Sequence, residues 1–463
     1  MKLRSLGLSI GCALAAYATV PAHASCTAGQ FDSSFGPASS AGYVQVSPWV
    51  ALSSSTGFES LVFAGDNNAY VTGAFAVDGA SLYPYAGVMR TARGGAIDRT
   101  YGGMGVVVPE AQSAPAVSSG PNADIAVDAN GNLVAAVITG TGLSISRFLP
   151  DGTRDMAFGS GGVTTVALAN PFYLMGIQLA PDGSVFVGTS ATNPAATNPE
   201  QPVVVKLTSA GALDGSFGSG GIAFVYPAGL APTSSTRMAD IALLPSGDII
   251  GVGRLVDPAV GTWLQAFVTK IKSNGTLDAT FGTSGFTILT AGPANNFILR
   301  KVVVQPDGGI VSSGSTSAFA GAPAASFATV ARFSPGGSLD PAFGTGGVSR
   351  FLPAFDSFVV HLALQDNGKI VAAIQGFADA GDTIRASVVA RLTTAGVLDT
   401  NFNGTGSMTI PAAGPTAGDI VQPINVKVNN NRIFTSVQVY TPDTQRYAVF
   451  LTAVDAGNGA HCH

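Results

Sequence analysis

Asp124, Asp240, Lys301 and His361 occupy one place in a recurring phrase, each seven residues before the glycine of a tight turn. In the other copies that place holds Leu61, Gly176 and Pro423. Two carboxylates, an amine and an imidazole gathered at one locus can bind a cation or a polar ligand, or carry out acid–base chemistry. The competing reading is that they solvate an opening and pair with one another. Apart from His23 near the start and two residues of the C-terminal tail, His361 is the only histidine, so a histidine-based hydrolase has no other base. The sequence has no G-x-S-x-G elbow, H-E-x-x-H, P-loop or CxxC pair. An enzyme here would be a carbohydrate- or ester-directed hydrolase or lyase resting on Asp124, Asp240, Lys301 and His361. No cofactor is expected.

The elements that position these residues come from a repeat. An Asp followed three residues later by an aromatic and a glycine turn returns as FDSSFG, IDRTYG, RDMAFG, LDGSFG, LDATFG, LDPAFG and LDTNFN. Asp32, Asp98, Asp155, Asp214, Asp278, Asp340 and Asp399 are 66, 57, 59, 64, 62 and 59 residues apart. A period near sixty that fills the chain decides the architecture first. Each period also contains two alternating apolar runs around an Asx-Gly turn, as in HLALQDNGKIVAAI, which reads as a hairpin. A third run ends in Arg or Lys, as in VVARLTTAG, and a fourth follows the aspartate phrase, as in GIAFVYP. One period is therefore one four-stranded antiparallel sheet.

Seven such sheets predict an all-β, seven-bladed propeller in which each blade buries its faces against its neighbours. The chain enters within a period, with TAGQFDSSFG matching the fourth strand, and ends after strands one to three. The N-terminal strand should complete the last blade. The recurrent aspartates read as turn caps with anchoring aromatics, among them Phe217 and Phe281. Calcium needs about six to eight oxygens, and each repeat offers one carboxylate, so no metal site is expected.

Residues 1–24 carry early cations, an apolar stretch and an Ala22-His23-Ala24 ending, which is a secretory signal peptide cleaved after Ala24. The mature chain, 25–463, is expected to be one propeller domain in the periplasm or outside the cell. It keeps Cys26 and Cys462, which ring closure should bring to one blade as a disulfide. His461 and His463 flank Cys462, but three adjacent residues make a poor closed metal site. Without Lys2 and Arg4, 20 cations face 27 carboxylates. No basic cluster exists to engage nucleic acid or anionic lipid. No later apolar run is long enough to span a bilayer, and a monomer is expected.

The LDxxFG and PDG phrases, their period and the leader resemble the delta-60 repeat family of bacterial β-propeller-like proteins. The resemblance covers nearly all of 26–457. The first copy departs from it after Gly36 with PASSAGYV, and the last PDG turn has become NNN. The family implies the propeller fold and lends no catalytic residues.

Turns within the first hairpin and between strands three and four are short and repetitive. The loops between strands two and three (73–87, 188–202, 253–266, 314–328, 375–387) and between blades (107–122, 223–238, 287–299, 411–422) are long and unlike each other. Both long sets open on one face, where binding is expected. Tyr83, Tyr85, Tyr173, Tyr226 and Trp263 lie in or beside these loops and could stack on sugars or peptides, with core packing as the competing role. The leading expectation is a non-catalytic module that binds a ligand or protein through Asp124, Asp240, Lys301, His361, Trp263 and Tyr226.

Overall fold

A computed structural model describes residues 28, 30, 43–45, 50–51, 60–64, 68–74, 86–92, 96–103, 105–109, 123–194, 200–227, 230, 234–256, 264–291, 295–318, 326–351, 357–377, 385–410, 420–429, 432–441 and 446–457. Cys26, Cys462, Trp263, Tyr83 and Tyr85 lie outside the described residues.

The strands assemble into seven antiparallel sheets that form a seven-bladed propeller. Blade 1 spans 61–107, blade 2 123–167, blade 3 169–224, blade 4 235–289, blade 5 295–351 and blade 6 357–410. Blade 7 takes three strands from 420–455 and its fourth from the other end of the chain, Tyr43–Gln45. Tyr43, Val44 and Gln45 pair with Thr452, Leu451 and Phe450. Val50–Ala51 adds a short extra pairing to the same strand.

Central strands such as Leu133–Thr139 and Ile249–Val256 are buried along nearly their whole length, because both faces of a blade meet neighbouring blades. The outer strand Val163–Ala167 returns to alternation with solvent. The strands run further than expected into several of the long loops. Ser235–Leu243, Asn295–Val304 and Ile420–Asn429 begin inside 223–238, 287–299 and 411–422. Hydroxyls toward the loop-side ends of the strands bond within and between blades. Ser190 Oγ accepts from the Met238 amide at 2.9 Å, and the Thr316 and Thr329 hydroxyls meet at 3.1 Å. Polar residues that satisfy one another inside a sheet look like loop in a hydropathy pattern.

The aspartate phrase builds a latch on the face opposite the long loops. In blade 3, Asp214 Oδ1 accepts from the Ser216 amide at 3.0 Å while Oδ2 pairs with Lys206 at 2.8 Å. The same pairing recurs as Asp98–Arg90, Asp155–Arg147, Asp278–Lys270, Asp340–Arg332 and Asp399–Arg391. Four of these guanidiniums lie over the aromatic of their own phrase, at 4.6 to 5.0 Å from the ring centre.

Each latch also reaches the next blade. Gly159 N donates to Ala210 O at 2.8 Å and Arg147 Nη1 to Ser209 O at 2.6 Å. The turn glycine Gly211 (φ 84°) sits so close that a Cβ there would come within 2.6 Å of Gly159 N. Only glycine combines that left-handed conformation with that approach.

Ring closure reuses the latch with a divided turn. From blade 6, Arg391 Nη1 donates to Ala456 O and Asn403 N donates to Ala28 O at 2.9 Å, both across the boundary to blade 7. Ala456 takes the part of Ser209 and Ala28 that of Ala210, so the two ends of the chain together form one β-turn. Asp455 N completes it by donating to Gln30 O at 2.9 Å.

These pairs set the acid limit of the fold. The Lys206 ammonium, then Ser216, holds the Asp214 carboxyl down to about 2. Thr100 with Arg90 lowers Asp98, Thr280 with Lys270 lowers Asp278, and the Ala342 amide with Arg332 lowers Asp340. A depressed native carboxyl stabilises above its unfolded value and loses that contribution as pH falls through the native one, since the unfolded chain then binds more protons. The urea midpoint is expected to drop steeply between about pH 4 and pH 2. A midpoint unchanged down to pH 2 would show that the latch ring contributes little.

Candidate functional site

Asp240, Lys301 and His361 each follow a bulge in the innermost strand of blades 4, 5 and 6, where the ladder skips a residue. Because these strands extend toward the loop face, Asp240, Lys301 and His361 lie several residues inside them and not at their first residues. In blade 7 the bulge falls between Pro423 and Asn425, and Asn425, not Pro423, takes the ring position. The blade's hairpin is one residue shorter than that of blade 5, which displaces a count made from the turn. Thr435 Oγ1 donates to Asn425 O as Ser312 Oγ does to Lys301 O, which fixes the equivalence.

The acidic half of the ring is occupied by backbone. Asp124 accepts from Ile125 N at 2.9 Å and, across the blade boundary, from Ile177 N at 3.1 Å. Asp240 accepts from Val302 N of the next blade at 3.0 Å and stands 3.6 Å from Lys301 Nζ. Each carboxylate thereby ties its inner strand to its neighbour's. Burial pushes the Asp240 carboxyl up to about 6, against the pull of Lys301. Gly176 makes room for it, since a Cβ there would lie 2.7 Å from Asp240 Oδ1. In blade 1 the register puts Ser60, not Leu61, at the ring position, since Leu61 pairs with Val71 as Ile125 does with Ala135, and the Thr72 amide donates to Ser60 O. Leu61 turns into the core between blades 7 and 1.

The basic half is less committed. His361 is 8 % exposed, and burial together with Lys301 and Lys427 holds it well below the usual histidine range. It is therefore neutral, and its Nδ1, 3.1 Å from the Leu362 carbonyl, must carry the proton. Nε2 is left as an acceptor. Lys427, two residues beyond Asn425, senses the charges of Asp124, Asp240 and Lys301, from blades 2, 4 and 5, and itself acts on His361 of blade 6. Burial and Lys301 lower its ammonium. Among the described residues no carboxylate lies within ion-pair distance of it.

Toward the loops, Arg300, the extra residue of the blade 5 bulge, is depressed by burial and by Arg254 of blade 4. Arg237 pairs with Glu200 at 2.6 Å. Tyr226 is half-buried at the loop-side end of blade 3. The structure thus brings Asp124, Asp240, Lys301 and His361 to one channel and adds Asn425, Lys427 and Arg300. Among the described residues no group of three or more His, Cys, Asp or Glu is placed to hold a metal, and no helix is long and apolar enough to cross a membrane.

No family model and no curated protein matches the chain. Solved structures are similar in fold. Polysaccharide lyase Uly1 aligns with a TM-score of 0.51 at 10 % identity, over 93 % of this chain and 98 % of that one. A protein of unknown function from Dyadobacter fermentans aligns with a TM-score of 0.43 at 12 % identity, over 89 % and 99 %. Puromycin hydrolase gives 0.45 at 13 % identity, and this chain spans 57 % of its length. At 10 % identity the likeness to the lyase speaks to the fold alone.

Proposed function

We propose that the mature chain is a secreted or periplasmic propeller of the delta-60 kind, closed by a Cys26–Cys462 bond, that binds a ligand or protein at its loop face. One observation carries this reading: the two faces are built for different tasks. The turn face is spent on the repeated latch, with its carboxylates, cations and turn amides joined to one another. The opposite face presents unlike loops around a channel whose basic wall retains unused donors and acceptors. Variable loops on a rigid frame are where recognition resides.

The enzyme reading is less well supported, because Asp124 and Asp240 already hold backbone amides. A neutral His361 beside two ammonium groups supports it in one form, proton abstraction next to a ligand carboxylate.

Glycan and peptide arrays probed with the purified mature protein test the choice. Array binding lost in Trp263→Ala or Tyr226→Ala, with no turnover of polysaccharide or ester substrates, is the expected result. Turnover abolished by His361→Gln would replace the binding module with an enzyme.

A further inference from the structure

The channel's polar groups divide unevenly. On the acidic side, both oxygens of Asp124 accept amide hydrogens, while Asp240 accepts from Val302 N and leans on Lys301. On the basic side, Lys427 has no ion pair among the described residues, and Lys301 has one distant contact. Lys427 lies on the inner strand of blade 7, two residues beyond Asn425, and the Lys301 charge lowers its ammonium. Like charges in a partly desolvated channel are costly without an anion between them. Arg300 and Arg254, nearer the loops, extend the same excess of positive charge in a protein whose net charge is −5.

Acceptors are also left over. Asn425 is 3 % exposed, and its Oδ1 has no hydrogen-bond partner. Ser436, directly across the ladder from Asn425, and Ser313, directly across from Lys301, have hydroxyls in the same condition. Unpaired buried polar atoms are uncommon in folded proteins and call for a partner. His361 Nε2 is a further acceptor, since its Nδ1 proton is committed to Leu362 O.

We propose that the channel binds a small hydroxycarboxylate, its carboxylate between Lys301 and Lys427 and its hydroxyls donating to His361 Nε2 and Asn425 Oδ1. A bare carboxylate satisfies the lysines alone, and a neutral sugar satisfies the acceptors alone. A hydroxy acid satisfies both sets. Asp124 and Asp240, held by the neighbouring strands, bound the site on the opposite wall and disfavour a dianion there.

The proposal rests on the loop face being the ligand face, because the channel opens there, yet the two readings fail separately. Array ligands without hydroxycarboxylate binding would remove the channel site and leave the module. Hydroxycarboxylate binding with a blank array would remove the macromolecular partner and leave the channel site.

The test is calorimetric titration of the full mature protein with gluconate, propionate and glucose. Gluconate is expected to bind, propionate to bind more weakly and glucose not at all, with gluconate affinity falling as salt rises. Lys427→Met should weaken gluconate about tenfold or more, as expected for losing a desolvated charge contact, while Lys272→Met on the exposed turn face should not. Gluconate should also shift the His361 imidazole resonances. Should Lys427→Met fail to fold, the ligand series and the His361 signal on the unaltered protein still decide. Equal binding of glucose and gluconate, no gluconate binding at all, or unchanged binding in folded Lys427→Met would each overturn the proposal.

Discussion

Asp399→Ala is expected to destabilise the protein by about 3–5 kcal/mol, the cost of leaving a buried charge without its partner. Arg391 and Asp399 are the most buried of the six latch pairs, with side chains 1 % and 4 % exposed. Asp399 Oδ2 takes both Arg391 Nε and Lys369 Nζ at 2.8 Å, and its Oδ1 caps the Asn401 amide at 3.2 Å. Arg391 lies over Phe402 and reaches Ala456 O at the divided turn. Removing the carboxylate therefore strands a guanidinium where the chain ends meet. The same change at Asp340, whose side chain is 29 % exposed, should cost only about 1–2 kcal/mol, mostly the lost cap. Denaturant unfolding of the two variants and of Arg391→Met/Asp399→Leu provides the check. The double variant should recover much of the loss, because it removes both charges. If Asp399→Ala costs no more than Asp340→Ala, burial does not set the strength of the latch.

How legible was this in the sequence? The blade number and strand order were plain, because each turn glycine and each aspartate-aromatic phrase marks the same place in a blade. The latch was half legible. The aspartates and the third-strand cations were each visible, but their meeting depends on the phrase folding back beside its own third strand, as in the Leu207–Leu213 bridge. The channel was legible where hairpins keep one length, at Asp124, Asp240, Lys301 and His361. It failed in blade 1, where no turn glycine anchors the count and Ser60 replaces Leu61, and in blade 7, where the hairpin is shorter and Asn425 replaces Pro423. Lys427 and Arg300 escaped notice for related reasons. One lies four residues beyond Pro423, the position the turn count selects, and the other is the extra residue of a bulge, which alternation does not foresee. The carboxylates kept a second secret, since a backbone amide offered by a neighbouring blade has no signature in side-chain types.

The phrase aromatics should behave oppositely to the channel residues. Phe217→Ala and Phe281→Ala are each expected to cost about 3–5 kcal/mol, the range for emptying a well-packed aromatic site. Both rings are essentially inaccessible, and they serve different clusters. Phe281 lies under the turn of the next blade: a Cβ on Gly337 would come within 2.7 Å of its ring. Gly396 stands in the same relation to Phe343, at 2.8 Å. The cavity left by truncation thus opens at a blade boundary held by the latch below it and by the sheets above, so collapse can fill it only by moving a whole blade. Phe281→Leu, which keeps most of the volume, should lose much less. Losses in separate clusters should add within about 0.5 kcal/mol, and gluconate titration of the folded single variants should show unchanged affinity. A large loss of ligand affinity in Phe281→Ala, with stability intact, would place the ring in recognition and not in the joint between blades.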